Sequence, residues 1–326
     1  MRPPPQLLYL SHASILEAGL SLGEVEAAVE RAFRAKTAGE ATLPPKAGFR
    51  PTAGSAFFLP MPAALHAPPV AGIKWVTVGH DNLALGLPSV SALVVLNDLE
   101  TGVPTAVLEG AWITATRTAA ASVVAARQLA RKGARRIGFV ACGVQAESHL
   151  KALKAARFPL EEAVLYSRRR ESAERFAAEV VREGLAARVV SKPRDAVAGM
   201  DIVITSVPPE PGPHRFLNLD WLSPGAFVSM VDLGRSWRPG GFARLDRVVT
   251  DDRTQTAANA KATKLPYGGP FHAEIGEIVA GKAPPRRSEE ERIAFLHPGI
   301  ALADLALADA IRERAIQRNL GVWLPL

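Results

Sequence analysis

The regular alternation of short apolar runs and helical segments in the second half of the chain constrains the fold most. Strand-like runs occur at residues 137–141, 163–166, 188–190, 201–206 and 226–231. Helical patterns fill the intervals at residues 145–156, 171–183 and 194–198. Such alternation of β and α is typical of a parallel sheet with helices on both faces. The sequence therefore predicts an α/β protein that contains a Rossmann-type, doubly wound parallel sheet.

The first third of the chain has a different pattern. A helix is predicted at residues 21–36, where apolar residues recur on one face, and strands are predicted at 70–78, 89–97 and 105–108. Residues 98–102 fit a hairpin connection, and an Ala-rich helix follows at 116–131 with Thr114 as its N-cap. We predict a β-rich domain at 1–112 and a Rossmann domain at 113–297. A C-terminal helix within 298–326 is expected to return to the first domain.

Composition limits the classes of function. The chain has 326 residues, 39 Lys and Arg against 32 Asp and Glu, and one cysteine. This length suits two domains, and a single cysteine excludes a disulfide scaffold and a Cys-based metal cluster, so no metal is expected. The basic residues lie in short groups without interleaved aromatics, which favours an anionic small ligand over nucleic acid. No apolar run approaches the ~18 residues of a membrane span, and no signal peptide is evident. We expect a soluble cytoplasmic protein with no membrane partner.

Residues 136–146 form a strand, a tight turn and a helix start, which suits a dinucleotide pyrophosphate. The three small positions of the fingerprint are Ala141, Gly143 and Ala146, so the first glycine is missing and the motif alone is weak. Ser167, Arg168 and Arg169 follow the next strand, where a carboxylate would bind the ribose hydroxyls of NAD. Arginine suits a 2′-phosphate, so NADP(H) is the preferred cofactor and NAD(H) the alternative. Arginines at a helix start are also ordinary surface residues, and Cys142 in the turn is interpreted as a packing residue.

Several segments spread along the chain point to one family. They are Asn82 and residues 72–76, 86–89, 98–104, 114–120, 143–146, 249–252, 274–282 and 299–304. With these segments the sequence resembles the ornithine cyclodeaminase/mu-crystallin family nearly from end to end. The resemblance implies a homodimer whose β-rich domain, at 1–112 with the C-terminal helix, binds substrate and forms the dimer, and whose Rossmann domain binds NAD(H) or NADP(H).

The resemblance also implies roles for individual residues. Lys74 is the catalytic lysine and Arg117 holds the substrate carboxylate; without the resemblance they would be an ordinary strand lysine and helix-surface arginine. Lys46 is the nearest equivalent of a family arginine that precedes the segment containing Met61, so both are assigned to substrate binding. The residues predicted to bind cofactor are Asn82, Thr118, Gly143, Val144, Gln145, Ser167, Arg168, Arg169 and Val207.

Asp232 marks the main departure from the family. The catalytic aspartate of the cyclodeaminases aligns with Gly234, and Asp232 lies two residues earlier. Asp232 either reaches a ligand as a catalytic carboxylate or orders its own loop with Arg235 and Trp237 as neighbours. If it does not reach the substrate, ornithine cyclisation is in doubt, whereas imine reduction needs only Lys74 and the cofactor.

The leading hypothesis is therefore an NAD(P)-dependent oxidoreductase that interconverts an α-imino acid or cyclic ketimine with its amino acid. The first alternative is ornithine cyclodeaminase, which forms proline and ammonia. The second is a non-catalytic ligand-binding protein like mu-crystallin, which the presence of Lys74 and Arg117 disfavours because a purely structural role needs neither.

Overall fold

The computed structural model describes residues 6–52, 54–79, 81–208, 215–263 and 265–326. The strands are β1 (Gln6–Leu10), β2 (Ala41–Thr42), β3 (Phe57–His66), β4 (Pro69–Val78), β5 (Val90–Asn97), β6 (Pro104–Glu109), β7 (Arg136–Val140), β8 (Glu162–Tyr166), β9 (Ala186–Val189), β10 (Ile202–Thr205), β11 (Phe227–Met230), β12 (Arg247–Thr250), β13 (Ala273–Glu274), β14 (Ile293–Leu296) and β15 (Val322–Pro325). The α-helices are α1 (His12–Ala18), α2 (Leu22–Ala38), α3 (Ala111–Leu129), α4 (Val144–Ala155), α5 (Arg170–Arg182), α6 (Arg253–Thr263), α7 (Ile275–Val279) and α8 (Ala301–Gln317).

The chain forms two compact units. Unit 1 comprises Met1–Arg117 with Ile300–Leu326, and unit 2 comprises Thr118–Gly299. The division after residue 117 falls inside α3. The assignment of substrate binding and dimerisation to the first part of the chain, and of cofactor binding to the second, stays a prediction.

Unit 1 is built on a seven-stranded sheet in the order β15-β1-β6-β5-β4-β3-β2. Neighbouring strands are antiparallel except β1 and β6. Helix α8 packs on β3, β4 and β5 and also contacts α1 and α2. In β5, Val94 and Leu96 are buried while Leu93 is exposed, the alternation expected of a sheet covered on one face. Strand β1 and helix α1 precede the first helix that the sequence pattern predicts.

Helix α2 confirms the helix predicted at residues 21–36. Ser21 caps it: its hydroxyl accepts the backbone N–H of Glu24, whose side chain accepts the backbone N–H of Ser21. This reciprocal pair satisfies two otherwise unpaired donors. The buried residues fall on the predicted face, including Val25, Val29 and Phe33.

The predicted start of the Ala-rich helix is wrong. Helix α3 begins at Ala111, and Thr114 is not its N-cap, because the Thr114 amide already donates to the carbonyl of Gly110. The carboxylate of Glu109 instead accepts the amides of Ala111 at 2.6 Å and Trp112 at 3.3 Å. An acidic side chain at the end of β6 therefore starts the helix, a role that the sequence pattern did not reveal.

Unit 2 confirms the predicted doubly wound parallel sheet. Its eight strands lie in the order β13-β12-β14-β11-β10-β7-β8-β9, and every pair is parallel. The chain starts in the middle at β7, proceeds outward through β8 and β9, and returns to β10 on the other side of β7. The order therefore reverses between β7 and β10. Ligands of such sheets bind outside the carboxyl ends of the strands at this reversal.

Candidate active site

Three charged side chains converge inside unit 1. The ammonium of Lys74, on β4, donates to Oδ1 of Asp304 at 2.7 Å, and Nε of Arg117, on α3, donates to the same oxygen at 2.9 Å. Asp304 lies in the first turn of α8. One carboxylate oxygen therefore joins a strand and two helices that are far apart in sequence. We call Lys74, Arg117 and Asp304 the charged cluster.

Gly72, two residues before Lys74, lies close to the backbone of β5. A Cβ at Gly72 would lie 2.2 Å from the carbonyl oxygen of Val95 on β5 and 3.2 Å from Cδ2 of Leu305 on α8. Side chains two residues apart point to the same face of a strand, so Gly72 and Lys74 both face α8. A larger residue at 72 would clash with the backbone of β5, and more mildly with Leu305 on the helix that carries Asp304.

The charged cluster is removed from water. The exposed fraction is 1% for Lys74, 0% for Asp304 and 5% for Arg117. Burial lowers the pKa of Lys74 to about 7, helped by the positive charge of Arg117 and opposed by Asp304. Burial alone would raise the pKa of Asp304, but the charges of Arg117 and Lys74 outweigh it and hold that pKa below its usual value. Asp304 is thus a carboxylate, and Lys74 is poised to exchange a proton near neutral pH.

Two further predicted substrate residues lie beside Lys74. Met61 on β3 is its direct cross-strand partner and is buried. Lys46 is half-buried and close enough that its charge contributes to lowering the pKa of Lys74. Three basic side chains, those of Arg117, Lys46 and Lys74, therefore lie in this part of unit 1. A group of basic side chains suits an anionic ligand.

Asp304 is the residue that the sequence reasoning missed. It lies within the segment 299–304 that carried the family resemblance, yet it received no role. The sequence does contain a sign of its importance. Asp304 lies among apolar residues that the helical pattern of α8 predicts to be buried, and a buried aspartate usually has a charged or hydrogen-bonding partner. Its second oxygen, Oδ2, is buried and accepts no hydrogen bond from the residues that the structure describes.

The turn after β7 in unit 2 has the form of a phosphate cradle. Gly143 precedes α4 as its N-cap and provides no side-chain cap, and a Cβ there would meet no atom within 4 Å. The backbone amides of the first turn are therefore open to an anion, which the helix dipole also favours. Val144 is exposed, and Oε1 of Gln145 is buried without a hydrogen bond from the described residues. The open backbone amides fit a bound pyrophosphate, whereas Oε1 of Gln145 can only accept a hydrogen bond.

Ala141 occupies the place of the missing first glycine. Its φ is 74°, in the left-handed region that glycine adopts freely and alanine adopts at a cost of roughly 1–2 kcal/mol. The turn thus keeps a glycine-like backbone without a glycine. Cys142 beside it is buried, and burial raises the pKa of its thiol to about 12, in accord with a packing residue.

The other predicted cofactor residues of unit 2 follow neighbouring strands. Ser167, Arg168 and Arg169 follow β8, and both arginines are exposed at the start of α5. Val207 follows β10 and packs partly on the core of unit 2. Because β7, β8 and β10 are parallel neighbours, these residues lie at the same sheet edge as Gly143. Thr118 is buried in α3.

Asn82 lies in unit 1, in a short 3₁₀ turn. Its side-chain amide donates to the carbonyl of Pro88 at 2.9 Å, and its backbone carbonyl accepts the amide of Leu87. These bonds close the loop between β4 and β5. Its role in cofactor binding stays a prediction.

Asp232 is held by its own turn and by Thr205 at the end of β10. Its Oδ1 accepts the hydroxyl of Thr205 at 2.9 Å and the amide of Gly234 at 3.2 Å, and Oδ2 accepts the hydroxyl of Ser236 at 2.5 Å. Burial raises the pKa of Asp232, and the hydrogen bonds and Arg235 offset this only partly. These contacts support the loop-ordering interpretation of Asp232, with hydroxyls in place of the expected ion pair. Its catalytic role stays a prediction.

No helix in residues 6–326, apart from the gaps stated above, is long and apolar enough to cross a membrane. Within the same ranges, no group of three or more His, Cys, Asp or Glu side chains is arranged to hold a metal ion.

Comparison with known proteins gives consistent matches over the whole chain. Residues 9–319 match the model of the ornithine cyclodeaminase/mu-crystallin family. The chain is 33% identical to the alanine dehydrogenase of Archaeoglobus fulgidus, with 94% of each chain covered. Its structure is similar to Δ1-pyrroline-2-carboxylate reductase of Thermococcus litoralis in complex with NADH and L-proline, with a TM-score of 0.85, 31% identity and 97% and 99% of the two chains covered. An archaeal alanine dehydrogenase dimer with bound NAD gives a TM-score of 0.84 at 30% identity, with 98% and 99% covered.

Proposed function

The chain belongs to the ornithine cyclodeaminase/mu-crystallin family, and we propose that it is a nicotinamide-dependent oxidoreductase that interconverts an α-imino acid and its amino acid. The buried charged cluster of unit 1 is the observation that carries this proposal. A substrate of this class has a carboxylate and a nitrogen that gains or loses a proton. The cluster supplies a partner for each of these groups.

Arg117 is assigned to the substrate carboxylate. Its hydrogen bond to Asp304 uses Nε, which leaves the two terminal nitrogens of the guanidinium for a planar, two-point contact with a carboxylate. Lys46 adds a second positive charge near the same place. Met61 contributes an apolar surface beside Lys74 for the carbon skeleton of the substrate.

Lys74 is assigned to proton transfer. In the reductive direction its ammonium protonates the imine nitrogen, and in the oxidative direction its neutral amine takes a proton from the amino group. A pKa of about 7 allows both roles at neutral pH. Asp304 fixes the position of Lys74 through the 2.7 Å hydrogen bond and keeps the ammonium form accessible in a site that burial would otherwise make neutral.

The cofactor is assigned to unit 2. The open first turn of α4 would hold the pyrophosphate through backbone amides, and Ser167, Arg168 and Arg169 would hold the adenosine ribose or its 2′-phosphate. When bound, a nicotinamide cofactor supplies or accepts the hydride. Because no carboxylate follows β8 and two exposed arginines do, we assign NADP(H) as the preferred cofactor and NAD(H) as the alternative.

A homodimer is assigned to the outer face of the unit 1 sheet. The exposed fraction is 37% for Trp75, 44% for Leu93 and 38% for Tyr9. The strand register places all three on the face opposite α8, with Val95 and Val107 between them. An exposed apolar face of this kind, with Glu109 beside Leu93, marks an interaction surface. Trp75→Lys should convert the dimer to monomers in analytical ultracentrifugation, and a wild-type chain that sediments as a monomer would refute the assignment.

A substrate panel tests the activity. The absorbance of NADPH or NADH is followed with pyrroline-2-carboxylate, with piperideine-2-carboxylate, and with pyruvate in the presence of ammonia. Ammonia release from ornithine is measured beside them. We expect oxidation of reduced cofactor with at least one imine and none with ornithine. Ornithine-dependent ammonia release without imine reduction would favour the cyclodeaminase, and cofactor binding without any turnover would favour the non-catalytic alternative.

Titration of both cofactors by protein fluorescence tests the NADP(H) assignment. We expect NADPH to bind at least ~10-fold more tightly, since a charge-assisted pair to the 2′-phosphate exists only with NADPH. In the Arg168→Ala variant this preference should shrink while NADH affinity stays unchanged. Equal affinities in the wild type would refute the assignment.

A further inference from the structure

A buried chain of hydrogen bonds connects three elements of unit 2. Oγ of Ser229 on β11 lies 2.8 Å from Oγ of Ser122 on α3, which lies 2.9 Å from Nε2 of His149 on α4. Nδ1 of His149 lies 2.6 Å from the carbonyl oxygen of Gln145, one turn earlier in α4. All three side chains are essentially inaccessible to water. The mechanism proposed above uses none of them.

The direction of each hydrogen bond follows from the carbonyl at one end. A carbonyl can only accept, so Nδ1 of His149 carries the proton and donates to Gln145. Neutral imidazole then has Nε2 as an acceptor, which takes the hydroxyl proton of Ser122, and Ser122 accepts from Ser229. Burial lowers the pKa of His149 to about 4, so the ring is neutral at physiological pH. The histidine therefore has one tautomer and one orientation.

We propose that His149 is a positioning residue that holds the first turn of α4 in the geometry that binds the cofactor pyrophosphate. This proposal rests on the proposed function, because it assumes that the turn at Gly143 binds a dinucleotide. His149 is buried beneath the helix and acts on Gln145 rather than on the cofactor.

The local sequence explains why the first turn of α4 needs support from His149. Most helices are fixed at their start by a side-chain cap, but Gly143 has no side chain to donate or accept. A capping side chain would occupy the amides that the pyrophosphate requires. His149 anchors the same turn from the inside, through Gln145, and leaves the amides of the outer side open. A turn that is already ordered before the cofactor binds lowers the entropic cost of binding.

The test compares three variants at increasing distance from Gln145. His149→Met removes the anchor, Ser122→Ala removes the group that orients the imidazole, and Ser229→Ala removes only the last hydroxyl. For each variant we measure the Kd of NADPH and NADH by fluorescence, the kcat and substrate KM at saturating cofactor, and the melting temperature. All binding measurements are made well below the lowest melting temperature.

We expect cofactor Kd to rise about tenfold in His149→Met, which corresponds to ~1.4 kcal/mol, less in Ser122→Ala and least in Ser229→Ala. The kcat at saturating cofactor and the substrate KM should stay within about twofold of wild type. His149 and Ser229 lie in elements that carry no residue of the charged cluster. Ser122 shares α3 with Arg117, but its hydroxyl contacts Thr118, His149 and Ser229. A purely structural role would lower the melting temperature without this split between cofactor Kd and kcat.

Unchanged cofactor Kd in His149→Met and Ser122→Ala would overturn the proposal, whatever happens to their melting temperatures. If His149→Met does not fold, Ser122→Ala decides alone, since it removes a single oxygen atom. Failure of the proposed function gives different results: wild-type protein would either bind neither NADPH nor NADH, or bind them without reducing any imine. In the second case the cofactor Kd values of the variants still decide the proposal for His149. In folded variants, ¹⁵N NMR of the His149 ring should show the Nδ1–H tautomer in both Ser229→Ala and Ser122→Ala, because the carbonyl of Gln145 still requires a donor. The Nε2–H tautomer in Ser229→Ala would contradict the assigned direction of the hydrogen bonds.

Discussion

Asp304 in unit 1 and Asp232 in unit 2 are both fully enclosed carboxylates, yet their surroundings differ in charge. Asp304 is held by two cations, Lys74 and Arg117, and its pKa is lowered. Asp232 is held by two hydroxyls and a backbone amide, and its pKa is raised. Burial raises the pKa of both side chains, so the charge of the neighbouring groups decides whether the native pKa is lowered or raised.

The two carboxylates therefore differ in what they affect: Asp304 affects neighbouring charged side chains, and Asp232 orders a turn. Asp304 sets the position and protonation of Lys74, and one of its oxygens accepts no hydrogen bond from the described residues. Asp232 uses both oxygens within residues 205–236, and Leu233 and Gly234 beside it have positive φ, as in a tight turn. We therefore expect substitutions at the two positions to act on different properties of the protein.

The largest effect is expected at Lys74. Lys74→Met removes the proton donor while Asp304 keeps Arg117 as a partner, so the fold should survive. Loss of a general acid or base typically costs about 10²–10⁴-fold in rate, and we expect kcat for imine reduction to fall by that amount. Circular dichroism and cofactor titration serve as controls for folding. Near wild-type kcat in the folded variant would remove Lys74 from the mechanism.

The two aspartates form a matched pair of variants for the second prediction. Asp304→Asn leaves two buried cations without an anion and lowers the pKa of Lys74 further, so kcat/KM at pH 7 should fall about 100-fold. Asp232→Asn keeps a side chain that can hydrogen-bond in the turn, and imine reduction should stay within about threefold of wild type. Steady-state kinetics of both variants check this. Ornithine-dependent ammonia release that is present in the wild type and lost in Asp232→Asn would instead support the cyclodeaminase.

The pH dependence of the two reaction directions gives a third prediction. Imine reduction needs protonated Lys74, so kcat/KM should fall as pH rises through about 7, and amino-acid oxidation should rise through the same value. Asp304→Asn should move both transitions to lower pH, because Asp304 raises the pKa of Lys74. Asp232→Asn should leave them in place. Identical pH profiles of kcat/KM in wild type and Asp304→Asn would show that Asp304 does not affect the protonation of Lys74.

The smallest effect, on the order of 1 kcal/mol, concerns stability against pH. A lowered native pKa means that Asp304 contributes stability above its unfolded pKa of 3.8, which is lost as pH falls through the native value. A raised native pKa means that Asp232 contributes stability below 3.8, which is lost as pH rises through the native value. Urea unfolding of wild type, Asp304→Asn and Asp232→Asn should therefore show differences from wild type that change in opposite directions with pH. Changes in the same direction would contradict the assigned charge states.

The sequence alone determined part of the order of elements in both units, because periodicity and turn residues are local signals. The pattern did not predict β1 and α1, nor the elements from β12 to β14 and the strand β15. The period of two in β4 and β5, the apolar face and capping residues of α2, and the strand–helix alternation after residue 136 were each readable within a few residues. The same local reading failed at α3, where Glu109 ends a strand and also starts a helix. It identified Lys74 and Arg117 only through resemblance, since a lysine in a strand has no local feature that marks it as buried.

The tertiary structure alone decided which charges meet. Asp304 lies 230 positions after Lys74 and 187 after Arg117, and only the packing of α8 on β4 brings the three to one oxygen atom. The same holds for Ser122, His149 and Ser229, which belong to three separate elements. Periodicity specifies which face of an element is buried but carries no information about the partner on the other side. The pKa of a buried group depends on that partner, so the charge states of Lys74, Asp304 and Asp232 follow from the fold and not from the residues themselves.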